Sequence, residues 1–454
     1  MALQFLRAAH DRGERALYIT LSESREELLQ SAESHRWTLE GITIYELAPP
    51  ELSLDINREQ SVVYSSDLEL GETVKLVMEE VRRQSPVCVV FDSLSDIRLL
   101  AGSSLRYRRQ VLALKHFFAT ANTTCLLIDD LTDETDDANL HSLVHGVIRL
   151  EQVAVAYGSE RRRLRVHKMR GRGFRGGYHD YVIRKGGLQI FPRLVANEHH
   201  QPIEDHLGVA SGVGELDEML GGGLVRGTSS LIMGPAGSGK STLALQYVWS
   251  ALARGEKVLY ISFDETRLNF YRRAQGLGVE LSGTGELFHF MQIDPAELSP
   301  GEMSTIIREH IENRGVSIVT IDSLSGYQNA MLEEQFMILH MHELLTYLNQ
   351  QGVLTMLILA QHGLVGTMQT PIDLTYLSDT VLLLRYFEAA GELRRSIAVM
   401  KKRVGSHDAS IREYRIDSRG IRVGDALTQF SGVLTGVPAF HGTREDLLSK
   451  RSTD

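Results

Sequence analysis

Apolar and polar positions follow two different periods along the chain. Short apolar runs rich in β-branched residues, such as KVLYISF (257–263) and SIVTIDS (317–323), are typical of strands buried on both faces of a parallel sheet. Between such runs lie amphipathic stretches, such as EEQFMILHMHELLTYLNQQG (333–352), which ends at Gly352 as a helix C-cap would. This alternation predicts an α/β fold with a doubly wound, mostly parallel sheet.

The pattern occurs twice in the chain. Three blocks recur in the same order: MALQFLRAAHDRGERALYITLSESREEL (1–28) and LALQYVWSALARGEKVLYISFDETRLNF (243–270), VCVVFDSLSDI (87–97) and SIVTIDSLSGY (317–327), RRRLRVHKMR (161–170) and RRSIAVMKKR (394–403). Each copy closes with a hairpin pattern that turns at Gly158 or Gly391 and continues into a basic strand. The sequence therefore predicts two copies of one unit, which we place at 1–200 and 201–454.

Composition narrows the classes of function. The formal net charge is −10 over 454 residues, which disfavours binding of polyanions over the whole surface. Apolar runs are far shorter than the ~20 residues of a membrane span, and the N-terminus lacks the regions of a signal peptide. Cys88 and Cys125 lie in apolar runs and fit a reducing, cytoplasmic environment rather than a disulfide framework or a zinc site.

A glycine-rich segment in the second copy, GPAGSGKS (234–241), matches the phosphate-binding pattern GxxxxGK[ST]. It follows an apolar strand pattern (229–233) and precedes a helical one (242–252), which is the context that the motif requires. The glycines let backbone N–H groups face a phosphate, and the helix N-terminus adds positive potential. The predicted nucleotide-binding residues are Gly234, Pro235, Ala236, Gly237, Ser238, Gly239, Lys240, Ser241 and Thr242.

Three residues would bind Mg²⁺ and the phosphates of ATP. Lys240 would place a point charge on the β- and γ-phosphates, and the hydroxyl of Ser241 would ligate Mg²⁺. A second metal ligand is expected at the end of another strand, and Asp322 closes SIVTID there. We therefore predict Ser241 and Asp322 as the metal ligands.

Three further polar residues end buried runs near the predicted site. Asp264 and Glu265 follow the strand after the P-loop helix, and a carboxylate there could polarise a water or a hydroxyl group. The sequence does not decide which acid is the base. Gln361 ends the run LTMLILA and either senses the γ-phosphate by hydrogen bonding or simply caps a strand.

At this point the chain resembles the KaiC family of RecA-like ATPases, which includes the cyanobacterial circadian clock kinase. The resemblance extends over essentially the whole chain. In the second copy it rests on the P-loop, IDSLSGY, and the segments GVGELDEMLGGGL (212–224), FDET (263–266), LSDTVLLLRYFE (377–388) and KKRVGSHD (401–408). It implies tandem RecA-like P-loop NTPase domains, each with a C-terminal β-hairpin, in a homo-hexameric ring with ATP between subunits.

The resemblance implies a role for the basic strand of the second copy. Lys401, Arg403 and His407 match the family pattern K-x-R-x-x-x-H, which implies that they reach the ATP of the neighbouring subunit. Cations at the γ-phosphate would stabilise charge in the transition state. The family's acid pair is usually Glu-Glu, whereas this chain has Asp264 and Glu265.

Phosphorylation is the second implied activity. In the clock kinase an adjacent Ser and Thr before the LSDT-like segment become phosphorylated, and this chain has Thr375 and Tyr376 there. Thr375 or Ser378 remains as a candidate acceptor. The implied function is Mg²⁺-dependent ATP binding and hydrolysis with serine/threonine autokinase capacity, and a signalling or timing role with protein partners through the ring.

The first copy departs from this pattern. It has no P-loop, Ser22-Glu23 stands where the second copy has its acid pair, and Asp130 stands in place of the glutamine. We expect that it does not bind ATP in the usual way. Because Met1 aligns just after the position of a P-loop, a central strand would be missing, and we expect an upstream start rather than a true truncation.

Two other classes of function stay open. The run 161–175, with the RGG-like segment GRGFRGG (171–177), would suit a single-stranded DNA-dependent RecA/RadA-like ATPase. Three observations disfavour binding of nucleic acid. The run aligns with the second copy's hairpin, it has few aromatic residues (Phe174 and Tyr178), and the net charge of the chain is negative. A ring that switches partners on ATP occupancy, without kinase activity, is the other alternative.

Overall fold

A computed structural model of the chain describes residues 1–47, 66–130, 141–154, 158–199, 208–329, 334–361, 374–389, 391–434 and 438–441. Its contacts divide the chain into two compact units. The first comprises Met1–Glu151 and Arg162–Ile190, and the second comprises Gln152–Arg161 and Phe191–Asp454. The predicted boundary after residue 200 lies at residues outside the described ranges, and it stays a prediction.

The first unit alternates helices and strands before it ends in antiparallel strands. Its elements are α1 (Ala2–Asp11), β1 (Ala16–Thr20), α2 (Arg25–Ser34), β2 (Ile42–Glu46), α3 (Ser66–Gln84), β3 (Cys88–Asp92), α4 (Leu94–Ala101), α5 (Ser104–Thr120), β4 (Thr124–Leu127), β5 (Gly146–Val153), β6 (Arg161–Met169), β7 (Tyr178–Arg184) and β8 (Gly187–Phe191). One sheet has the order β2-β1-β3-β4 with parallel pairing, and a second has the order β5-β6-β7-β8.

The second unit has the same alternation with more strands. Its elements are β9 (Gly208–Val209), α6 (Gly214–Met219), β10 (Leu224–Val225), β11 (Ser229–Gly234), α7 (Lys240–Ala253), β12 (Val258–Ser262), α8 (Arg267–Gly276), β13 (Phe288–Gln292), α9 (Pro300–Arg314), β14 (Ile318–Asp322), α10 (Leu324–Asn329), α11 (Glu334–Gln350), β15 (Leu354–Ala360), β16 (Thr380–Ala389), β17 (Glu392–Lys402), β18 (Arg412–Asp417), β19 (Gly420–Ala426), β20 (Phe430–Ser431) and β21 (Ala439–Phe440).

One nine-stranded sheet forms the centre of the second unit, in the order β13-β12-β14-β15-β11-β16-β17-β18-β19. The strands from β13 to β16 pair in parallel, and the strands from β16 to β19 pair antiparallel, with β16 and β17 forming the expected hairpin. Two apolar cores, one on each face, cover the central strands. The α/β fold with parallel sheets is thus confirmed.

Local signals explain why the central elements form where they do. All five residues of β14 are buried, as expected for a strand covered on both faces. Helix α9 begins after Ser299, whose hydroxyl accepts a hydrogen bond from the N–H of Glu302, and Pro300 takes its first position. It ends at Gly315, which adopts the left-handed conformation (φ 71°).

The two units differ at the middle of the sheet. In the second unit β11 lies between β15 and β16, whereas in the described part of the first unit β4 and β5 belong to two separate sheets with no strand joining them. Ile148 and Leu150 of β5 are 39% and 38% exposed, while Val381 and Leu383 of β16, the first strand of the corresponding hairpin, are 3% and 6% exposed. A central strand therefore accounts for the burial that the second unit achieves here.

None of the described helices combines the length and the apolarity that crossing a membrane requires.

Candidate functional site

The P-loop connects β11 to α7 at the C-terminal edge of the parallel strands. Gly237 and Gly239 adopt φ angles of 74° and 96°, which side chains rarely allow. At Gly239 a Cβ atom would also lie 2.5 Å from Cδ1 of Ile416, so a larger residue would push the loop away from β18. These two positions therefore need glycine for the loop to wrap closely.

Lys240 is held inside this loop. Its side chain is only 8% exposed, and Nζ donates a hydrogen bond to the carbonyl of Pro235 at 2.8 Å. Burial lowers the pKa of Lys240, while the charge of Asp322 acts in the opposite direction. An ammonium group has three donors, and a protein carbonyl uses one of them within the described residues, so donors remain for phosphate oxygens.

The carboxylate of Asp322 lies beside the start of α7. It accepts a hydrogen bond from the hydroxyl of Tyr260 at 2.6 Å. Burial raises the pKa of Asp322, and the nearby side chains of Ser241 and Tyr260 act to lower it. A hydroxyl and a carboxylate close together beside a P-loop fit a Mg²⁺ site, because this ion prefers oxygen ligands and takes others from nucleotide phosphates.

The protein offers few other ligands for a metal ion. Among the described residues, no group of three or more His, Cys, Asp and Glu side chains is placed to hold a metal ion. A Mg²⁺ ion at Ser241 and Asp322 would therefore depend on phosphate oxygens for further ligands.

The two candidate bases have different surroundings. Ser262 stabilises the turn after β12, since its hydroxyl donates to the carbonyl of Glu265 at 3.0 Å and accepts from the N–H of the same residue at 3.1 Å. Asp264 is exposed, and its Oδ2 accepts a hydrogen bond from the hydroxyl of Ser323 at 2.6 Å. Glu265 instead binds Arg273 through both carboxylate oxygens, at 3.1 and 2.7 Å.

Gln361 lies against the P-loop strand. Its N–H donates to the carbonyl of Gly234 at 2.9 Å, and the residue is 8% exposed. Its Oε1 is buried and has no hydrogen-bond partner within the described residues. A buried amide with an unpaired oxygen beside the P-loop fits a group that binds a ligand or a water there.

Two of the three predicted interface cations contact the segment before β16. Lys401 donates to the carbonyls of Thr375 at 2.9 Å and Ser378 at 2.7 Å. Arg403 is half exposed; it donates to the carbonyl of Tyr376 at 2.7 Å and pairs with Asp379 at 3.3 Å. The structure therefore ties these cations to the segment that contains both candidate phosphoacceptors.

The remaining residues of this region differ in accessibility. His407 is half-buried in the loop after β17. Ser378 is fully buried, and its hydroxyl donates to the carbonyl of Leu374 at 3.2 Å. Thr375 is half-buried, so of the two candidate acceptors it is the one closer to solvent.

The first unit repeats the scaffold of the site without the loop. Tyr18 donates a hydrogen bond to Asp92, which ends β3, as Tyr260 does to Asp322. Asp130 lies where the second unit has its glutamine, and it is exposed. The tyrosine–aspartate pair is therefore a property of the repeated strands.

Four contacts of the site were missed by reasoning from the sequence: those of Tyr260, Ser323, Arg273 and Tyr414. Tyr414 donates a hydrogen bond to the carbonyl of Ser238 and so supports the P-loop from β18. The repeat contained a signal for one of them, because Tyr18 and Tyr260 occupy aligned positions of the first repeated block. The others lie in contacts between segments that no local pattern indicates.

Comparison with known proteins agrees with this geometry. A family model described as "ATPase: KaiC" matches residues 1–195 and 209–428. Circadian clock protein KaiC3 of Synechocystis sp. is 26% identical, over 98% of this chain and 88% of the relative. Circadian clock oscillator protein KaiC of Thermostichus vulcanus is 26% identical over 94% and 82%, and circadian clock protein KaiC2 of Synechocystis sp. is 26% identical over 99% and 80%. Since the family model matches both repeats and most of the chain, this protein belongs to the KaiC family of ATPases.

Proposed function

We propose that the second unit binds Mg²⁺-ATP at the P-loop and hydrolyses it. The observation that carries the proposal is the proximity of Ser241 to Asp322, which places a hydroxyl at the helix start and a strand-end carboxylate together beside Lys240. These are the three side chains that a P-loop site needs for the metal and the phosphates.

Each residue has a defined role in this proposal. The N–H groups of the loop and Lys240 bind the β- and γ-phosphates, and Ser241 and Asp322 would hold the metal. When bound, Mg²⁺ neutralises charge that develops on the phosphate oxygens. Asp264 or Glu265 accepts a proton from the attacking water, and Gln361 offers its amide to the γ-phosphate or to that water.

The proposal extends to a ring. Lys401, Arg403 and His407 would act on the ATP of a neighbouring subunit in a homo-hexamer, where added positive charge favours phosphoryl transfer. Arg403 would have to exchange its contacts with Tyr376 and Asp379 for the phosphate, which is feasible because half of its side chain is exposed. Its relatives are circadian clock proteins by name, and we extend to this chain a signalling or timing role in the cytoplasm, with protein partners.

Autophosphorylation is a second activity of the same proposal. Thr375 is the favoured acceptor, because Ser378 is enclosed and its hydroxyl is already engaged. We assign ATP hydrolysis to the second unit, since the first unit has Ser22 at the position of Asp264.

One experiment tests both activities. The protein is incubated with Mg²⁺ and γ-labelled ATP, and free phosphate and protein-bound label are followed together. We expect release of phosphate, with label on Thr375 if autophosphorylation occurs. Release without label removes the kinase activity and leaves the ATPase.

Matched lysine variants test the site. Lys240→Ala should abolish binding of a fluorescent ATP analogue, because no other cation lies inside the loop in the described residues. Lys75→Ala, at an exposed position of α3, should bind as the unchanged protein does. Equal binding by both variants would contradict the site assignment.

A further inference from the structure

Arg273 of α8 pairs with only one of the two candidate bases of the proposed site. Its Nε and Nη2 donate to the two carboxylate oxygens of Glu265 at 3.1 and 2.7 Å, and each side chain is about one quarter exposed. Such a bidentate pair fixes the orientation of a carboxylate and uses its most accessible lone pairs. Glu265 is therefore held by a permanent cation on the side of α8.

The surroundings of Arg273 keep it in place. Its guanidinium lies 5.2 Å from the centre of the Phe270 ring, in a cation–π arrangement. Burial alone would lower the pKa of Arg273, but the carboxylate of Glu265 and the nearby Tyr260 and Asp322 raise it above its usual value. The guanidinium thus stays charged and remains paired with the carboxylate of Glu265.

Asp264 lies on the other side of the turn. It is exposed, and within the described residues its one side-chain hydrogen bond comes from Ser323 at 2.6 Å. Ser323 directly follows Asp322, the predicted metal ligand, so Asp264 is joined to the phosphate side of the site. One hydrogen bond leaves an ionised carboxylate with free acceptor positions for a water molecule.

The first repeat offers an internal comparison. Its Thr20 makes the same turn with Glu23 that Ser262 makes with Glu265, through hydrogen bonds of 2.9 Å. This repeat keeps the glutamate but has Ser22 at the position of Asp264. The glutamate therefore accompanies the turn in both repeats, whereas only the second repeat has an acid directly before it.

The two repeats also differ at the position of Arg273. When the offset of the first repeated block is extended, the first repeat has Ser31 at the position of Arg273. Of the two repeats, only the second therefore has this clamp, by which we mean the ion pair between Arg273 and Glu265.

We propose that Arg273 is a positioning residue that holds Glu265 out of the reaction, and that Asp264 is the general base. The inference rests on the proposed hydrolysis of ATP. The oxygen of water forms a bond to the γ-phosphorus while the bond from that phosphorus to the β,γ-bridging oxygen breaks. The proton of the water passes to the carboxylate of Asp264, which then releases it to solvent, and ADP and inorganic phosphate leave.

The decisive test is a rescue experiment on the full chain. Asp264→Asn should lower the rate of hydrolysis roughly a hundredfold or more, which is the usual share of a general base. Glu265→Gln should lose much less, about tenfold at most, because it removes only the ion pair with Arg273. Adding Arg273→Met to Asp264→Asn should restore roughly tenfold of the loss, because the released Glu265 can then accept the proton.

The matched control is Arg272→Met, which removes an exposed arginine from the same helix and should rescue nothing. A large loss in Glu265→Gln with little loss in Asp264→Asn would overturn the assignment of the base. Equal activity of Asp264→Asn with and without Arg273→Met would refute the idea that Arg273 keeps Glu265 from acting as the base.

A second readout does not depend on turnover. Hydrogen exchange of α8 should be faster by a similar factor in Glu265→Gln, in Arg273→Met and in the double variant, because one ion pair is lost in each. The effects of Asp264→Asn and Arg273→Met on the exchange rate of α8 should instead be additive, because these two side chains do not form an ion pair. Additive effects of Glu265→Gln and Arg273→Met would refute the ion pair. Failure of the unchanged protein to bind ATP would overturn the proposed function and, with it, the assignment of the base. The hydrogen-exchange comparison of the single and double variants would still show whether Arg273 and Glu265 form an ion pair.

Discussion

Removal of the Tyr260 hydroxyl tests the link between sheet packing and metal binding. The side chain is fully buried, and its hydroxyl donates to Asp322 at 2.6 Å. A hydrogen bond to a charged group contributes about 1.5–3 kcal/mol, and water cannot fully replace it because Asp322 is only 8% exposed. In Tyr260→Phe the pKa of Asp322 should therefore rise further, and the carboxylate should lose the donor that orients it.

Loss of such an orienting partner weakens metal affinity by about 10–100-fold. The Mg²⁺ concentration that half-saturates ATP binding should therefore rise at least about tenfold in Tyr260→Phe, in a titration followed with a fluorescent ATP analogue. Tyr18→Phe is the matched control, since it removes the same bond to Asp92 in the unit without a P-loop. It should lower stability without changing the Mg²⁺ dependence. An unchanged Mg²⁺ dependence in Tyr260→Phe, or an equal change in both variants, would refute the reasoning.

Three further predictions follow from other regions. Arg403→Ala should bind ATP normally but lose the part of hydrolysis that rises with protein concentration, and a rate that is independent of concentration in both proteins would count against a role between subunits. Amides of β4 should exchange faster than those of β15 in hydrogen-exchange mass spectrometry, because the described β4 pairs on one side and β15 on two; equal protection would show that another strand covers β4. His340 is half-buried and bonded to Ser304 and Tyr327, and desolvation lowers its pKa to about 4. Because the unfolded histidine binds a proton below about pH 6.5, the chain should lose roughly 3 kcal/mol of stability between pH 7 and pH 4 in urea unfolding, and His340→Gln should lose less.

Much of the fold could be predicted because its signals are local. The runs at 257–263 and 317–323 predicted strands, and the structure has β12 at Val258–Ser262 and β14 at Ile318–Asp322. The amphipathic stretch ending at Gly352 predicted a helix, found as α11, with Gly352 in the left-handed conformation (φ 69°). Periodicity of this kind follows from which face of an element is buried, so it is visible in the residues themselves.

The candidate site was predicted only in part. The P-loop, Asp322 and Gln361 lie at the ends of their own strands, and their residue types and positions already suggested their chemistry. The surroundings of Asp264 and Glu265 could not be predicted in this way. Although they are adjacent in sequence, the two acids bind different partners: Asp264 binds Ser323, which follows β14, and Glu265 binds Arg273 of α8. The first contact depends on β14 lying beside β12 in the sheet.

The sequence by itself determined the repeat, the α/β alternation and the presence of a phosphate site in the second copy. These features depend on residue type and spacing within short segments, where backbone geometry sets which side chains share a face. Only the tertiary structure decided which carboxylate is paired, which hydroxyl is buried at Ser378, and where the first unit's sheet divides. Those properties depend on contacts between segments that are distant in sequence, and the burial that sets their strength exists only once the strands and helices have packed.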